Sequence, residues 1–273
     1  MICIALHLAA LPLGPASAGH EIFHLFAPPI EKGHWGLEFN SAFQDGFPAH
    51  DEDEDEHGHA DIRAAHELGV HVDVSDYWMT KIALEMQREA DDAYALSGVA
   101  SENVFRFSKW TPRTFDAAWF TAVAAGTESE ATNAVEFGPI VSIRSGPVMV
   151  LLNPFFEKTF GRNREEGTAF TYGWRLTYSF SGRLSVGLEG YGEIENLGDA
   201  PAIDEQVHRV GSVLYLGPLH GTGHSEHGDH AHGMEHDHEQ HAEPEWFGEV
   251  GLLFGLTDST PDTAVKLNAG VHF

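Results

Sequence analysis

Between His220 and His241 the chain sets eight histidines in 22 residues: His220, His224, His227, His230, His232, His236, His238 and His241. Glu226, Asp229, Glu235, Asp237 and Glu239 are interleaved with them. Neutral imidazole suits zinc, copper and nickel, and carboxylates complete or orient such a ligand set. Glycines within the tract let it fold several rings around one ion without a preformed cage, so the expected cofactors are bound, exchangeable metal ions rather than a catalytic centre. The same rings titrate near pH 6, and a pH-dependent change of loop charge is the alternative reading. A second tract, residues 50–59, sets six carboxylates between His50, His57 and His59. It reads as a solvated acidic loop with at most weak calcium or magnesium binding, because it lacks the register of an EF-hand. His20 and His24 stand near the expected mature start, where they could act with the longer tract.

Composition narrows what such loops belong to. The 273 residues carry 42 acidic and 15 basic side chains, a formal charge of −27, which excludes the basic footprint of a nucleic-acid binder. Residues 1–18 combine an apolar run with Ala16-Ser17-Ala18, the pattern of a cleaved secretory signal. The one cysteine, Cys3, falls inside it, so thiolate metal sites and cysteine nucleophiles are excluded from residues 19–273. No later run approaches the roughly 20 apolar residues of a membrane helix. Enzymatic motifs are missing as well: there is no Gly-x-Ser-x-Gly elbow or phosphate-binding glycine loop, and His66-Glu67 lacks the second histidine of a zinc protease. No enzyme is indicated.

The elements that would position the loops are strands. Residues 263–273 alternate, with Val265, Leu267, Ala269, Val271 and Phe273 on one side and Lys266, Asn268, Gly270 and His272 on the other. Residues 246–256 and 170–180 repeat this pattern with aromatic ends. Trp35, Leu37, Phe39 and Phe43 form an apolar row opposite His34, Glu38 and Asn40. Ile62, Ala64, His66, Leu68, Val70, Val72 and Val74 form another, opposite Arg63, Glu67, His71 and Asp73. Residues 78–89, 101–110, 115–126, 133–145, 148–160, 184–194 and 207–217 bring the number to about twelve. For 77–96 an amphipathic helix is the alternative. Short connections at 75–76, 111–113, 145–147 and 181–183 alternate with longer ones at 44–60, 90–100, 127–132, 161–167 and 197–206. That alternation belongs to a transmembrane antiparallel up-and-down β-barrel. The charged residues opposite the apolar rows, among them Glu67, Lys81, Arg175, Glu189, Glu249 and Lys266, must then face inward. They fit either an ion-pair network that packs the lumen shut or a narrow aqueous path.

The terminal strand ending on Phe273, the turn at 254–263, the alternating strands and the signal-like start resemble bacterial outer-membrane β-barrels of a small porin or transporter type. The resemblance implies residence in the bacterial outer membrane, lipid as a partner, and recognition of the last strand by the barrel-assembly machinery. It implies one barrel domain over 19–273, with an acidic loop at 44–60 and a His-rich loop at 218–244. An even strand number puts the His-rich loop on the periplasmic side, within reach of a periplasmic partner. The expected function is binding of zinc, copper or nickel by that loop in metal transport or tolerance. The alternatives are a passive porin-like channel and a structural barrel with partner-binding loops.

Overall fold

The computed structural model describes residues 22–28, 30–47, 61–90, 92–107, 114–127, 132–161, 164, 166–218 and 244–273. Twelve strands close into one antiparallel barrel: β1 (Trp35–Asp45), β2 (Ile62–Ser75), β3 (Trp78–Glu89), β4 (Ala95–Arg106), β5 (Phe115–Gly126) and β6 (Asn133–Ser145). β7 (Val148–Phe160), β8 (Ala169–Ser181), β9 (Leu184–Ile194), β10 (Val207–Leu216), β11 (Glu245–Gly255) and β12 (Thr263–His272) complete it. Each strand pairs with its neighbours in sequence, and β12 pairs with β1 from Gly36↔His272 to Asp45↔Thr263. Closure leaves no sheet edge unpaired, which is the condition for strands to cross a bilayer. Phe273 extends the seam, its N–H donating to the Trp35 carbonyl at 2.9 Å while the two rings stack at 4.3 Å.

The pleat sorts the side chains as the alternation requires. Leu37, Phe39, Val70, Ile82, Leu176, Val250, Leu252 and Leu267 lie exposed on the outer surface. Glu38, Glu67, Lys81, Glu136, Arg175, Glu189 and Lys266 are buried inside. Lipid contact on one face and polar satisfaction on the other follow from a period of two.

Several expectations need correction. β4 runs from Ala95 to Arg106, so the connection before it is shorter than 90–100 and the one after it, 107–114, is longer than the expected 111–113; β1 runs on to Asp45, inside the expected 44–60 loop. Residues 78–89 are strand and the helix is excluded there, because Trp78 to Gln87 pair with β4, with one register shift between Glu85 and Met86. Ile62 does not continue the outer row of β2. A register shift between Ile62 and Ala64 turns it inward, where it packs with Ala65 and Ile22.

Two-residue turns follow β2, β6 and β8 at the barrel end that holds Trp35 and Phe273. The longer connection 107–114 leaves that same end, and the connections after β1, β3, β5, β7, β9 and β11 leave the opposite one, one of them carrying a 3-10 turn at Leu197–Asp199. Short turns mark the periplasmic side of outer-membrane barrels. The strands flanking 217–244 attach that connection to the same end as the two-residue turns.

The chain before β1 departs from a simple barrel. Glu31 N–H donates to Asp73 Oδ2 at 2.8 Å and Gly33 N–H to the Asp73 carbonyl at 3.0 Å, which fixes residues 31–33 at the periplasmic rim. Ile22, in contrast, packs on Ile62 at the far end of β2. The intervening residues therefore run up the inside of the barrel. Residues 22 and 23 form a turn, with Phe23 at a φ of 53°.

Candidate functional site

The lumen is lined by two unlike walls. On β5, β6 and β7, Ala118, Phe120, Ala122, Ile140, Leu151 and Phe155 are buried and apolar. The remaining wall is charged, and its ion pairs fall into two groups.

In the first group Lys81 on β3 meets three carboxylates: Glu67 at 2.6 Å, Glu102 at 3.1 Å and Glu38 at 3.7 Å. Asn40 donates to the same Glu67 oxygen at 2.8 Å. In the second, Arg175 donates to Glu189 at 2.7 Å and to Glu249 at 2.9 Å. Lys266 closes the ring at 2.8 Å from Glu189 and 3.0 Å from Glu249. Tyr191 and Tyr215 hydroxyls donate to the two Glu189 oxygens at 2.6 and 2.8 Å. Multiple partners per charge are what make buried ions tolerable in a medium of low dielectric.

The amino-terminal segment lies between these walls and uses both. The Phe26 ring packs on Phe120 at 4.2 Å, and its backbone exchanges two hydrogen bonds with the Asn153 amide, at 2.7 and 3.0 Å. The Phe23 carbonyl accepts from Lys266 Nζ at 2.9 Å and lies 2.8 Å from Tyr191 Oη, whose one hydrogen it shares with Glu189 as an alternative acceptor, while Arg209 sits 4.6 Å over the Phe23 ring. Leu25 enters the wall at Gly173, where a Cβ would come within 2.3 Å of its methyl carbon. Pro28 carries no N–H, so an extended chain here leaves one donor fewer to satisfy. The lumen is therefore filled by a separate piece of chain laid on a fitted wall. His24 belongs to this segment, its ring 4.5 Å from that of Phe26.

The sequence reading missed this segment and Glu102. A signal for the first was present in β5 and β7, which are apolar on both faces: Trp119 alternates with Phe120, and Leu152 with Leu151. A strand with lipid outside and water inside has no need of an inward Phe. Glu102 stands in the Ser101-Glu-Asn-Val104 stretch, whose alternation is weak.

The metal-binding candidates divide differently. His220, His224, His227, His230, His232, His236, His238 and His241 all lie outside the described residues, as do His50, His57, His59 and His20. Among the described residues, one group has ligating atoms within 4.8 Å of one another: Glu38 on β1, His71 on β2 and His272 on β12. It sits in the lumen at the periplasmic mouth.

No protein-family model matches the chain, and no curated relative matches it. Solved structures do. An outer membrane channel from Pseudomonas putida F1 superposes with a TM-score of 0.58 at 10% identity, over 90% of this chain and 97% of that one. The NanC porin gives 0.50 at 8% identity, over 88% and 98%. The fold is that of bacterial outer-membrane barrels. Identities this low carry the architecture alone; of the two barrels, one is a channel and the other a porin.

Proposed function

We propose that this barrel is a passive outer-membrane channel for small hydrophilic solutes, gated by its own residues 22–30. The observation that carries the reading is the burial inside the barrel of Phe23, Leu25 and Ile30, on a segment that joins the wall through β1. A wall built for permanent closure would fill with its own side chains, as small barrels do. Here Gly173 and Asn153 instead form receptors for another part of the chain. The likeness in fold to barrels that are a channel and a porin supports transport as the role. Among the described residues, seven buried glutamates against four buried lysines and arginines give the inner surface an acidic excess, which favours cations over anions once the segment leaves.

The test is conductance in planar bilayers. Full-length protein is expected to be closed for most of the recording. A variant lacking residues 22–30 is expected to open a steady, cation-selective pore. A deletion variant that folds, as shown by heat-modifiable migration, and still does not conduct overturns the proposal. Metal handling by residues 220–241 remains a proposal of its own. It is supported by the ligand types of that tract and by its attachment at the periplasmic mouth.

A further inference from the structure

We infer that Glu38, His71 and His272 form a binding site for a divalent transition-metal ion of the zinc class, inside the periplasmic mouth and separate from the His-rich tract. The three residues come from three neighbouring strands that meet at the barrel seam. Gly36 on β1 is the register partner of both His71 and His272, so the two histidines flank it from either side. Glu38 lies two residues further along β1 and so on the same, inner face.

The distances suit one shared ion. Zinc bonds of about 2.1 Å in a tetrahedral arrangement set neighbouring ligand atoms about 3.4 Å apart. His71 Nδ1 stands 3.3 Å from Glu38 Oε1, and all three ligating atoms fall within 4.8 Å of one another. The rings of His71 and His272 lie 4.9 Å apart. His71 Nδ1 is buried, makes no well-aligned hydrogen bond and faces Glu38 Oε1 at 3.3 Å. A cation placed there satisfies both.

Space and charge agree with this. A Cβ on Gly36 would stand 2.5 Å from His71 Cε1 and 2.9 Å from Nε2, so only glycine admits the ring in its present place. Glu38 turns its other oxygen to Lys81 at 3.7 Å, and Phe247 packs 5.1 Å from the His272 ring. These contacts orient the two ligands from behind, as outer groups do around bound metals. Glu67 and Glu102 beside Lys81 leave more acids than bases near the mouth. Two imidazoles and one carboxylate leave a fourth position open, which is the pattern of an exchangeable site. His272 also pairs in register with Glu245, the first residue of β11 after the His-rich connection, so the tract is rooted beside the site.

The site stands whether or not the lumen conducts, and its test is independent of conductance. Zinc is titrated into the full chain and into a version with all eight histidines of 220–241 changed to Asn. The substituted protein is expected to keep one zinc equivalent. That equivalent is expected to vanish in Glu38→Gln, His71→Gln and His272→Gln made in the same background, and to weaken in Gly36→Ala. Folding of each variant is followed by heat-modifiable migration. Should His71→Gln misfold, His272→Gln carries the decision, since its side chain lies at a strand end and is half-exposed. A substituted protein that binds no zinc overturns the inference. So does one whose zinc survives both His→Gln changes.

Discussion

Replacing Asn153 by Leu should loosen the inner segment while leaving the barrel wall intact. The two side chains share the same branched skeleton of heavy atoms, Leu being the bulkier, and Asn153 is 2% exposed on the inner face of the wall. What is lost is the pair of hydrogen bonds, at 2.7 and 3.0 Å, to the Phe26 backbone. In the docked state the Phe26 N–H and carbonyl then face an apolar side chain; in the undocked state both meet water. Burying polar groups without partners costs about 1–3 kcal/mol. A midpoint of about 2 kcal/mol, at 1.4 kcal/mol per decade, makes undocking about 30-fold more frequent. The assay is maleimide labelling of a Leu25→Cys reporter, with Cys3 changed to Ser, since Cys3 is the other thiol of that protein. Leu25 is 5% exposed when docked, so labelling reports the open population wherever reclosing is fast. A cysteine at Gly182, in an open turn, serves as the rate control. If Asn153→Leu labels within about twofold of its parent while the control is unchanged, the segment is not held as described.

Further outcomes follow from the same contacts. Gly173→Val fills the socket of Leu25 and should raise labelling of the same reporter without lowering barrel stability in urea. Lys266→Met leaves Glu189 and Glu249 short of a cation in a buried site and should cost about 3–5 kcal/mol of unfolding free energy, measured by urea titration. Adding Glu189→Gln to it should restore part of that loss, because one uncompensated charge goes too. Deleting Phe273 removes the Trp35 stack and the two backbone hydrogen bonds it exchanges with Trp35, and should lower the yield of folded barrel in refolding. Protease added to intact cells should not cut within 220–241, given its attachment at the periplasmic end.

Much of the barrel was legible because its signals are local. The period-2 rows of 35–43, 170–180, 246–256 and 263–273 carry their own facing, and β5, β6 and β7 fall at the boundaries that alternation gives. Ile62 shows where such reading fails: a register shift turned it inward, and nothing in an apolar residue distinguishes a lipid contact from an inner one. The inner segment was illegible for a related reason. Residues 22–30 have no periodicity to announce a partner, and their fit depends on Gly173, Asn153 and Tyr191, which lie over a hundred positions away. The candidate mouth site was half visible. His71 and His272 were placed on inward rows, but only ring closure of β12 against β1 puts them on either side of Gly36.

The most direct measurement is single-channel recording of a protein with Leu25→Cys, Gly173→Cys and Cys3→Ser. The Leu25 Cγ lies 3.6 Å from the position of a Cβ at residue 173, within range of a disulfide after small adjustment. Oxidised, the segment is tied to the wall and the barrel should stay closed throughout. Reductant added to the same bilayer should release it and produce cation-selective openings like those of the 22–30 deletion. Equal conductance in the oxidised and reduced states would contradict gating by this segment.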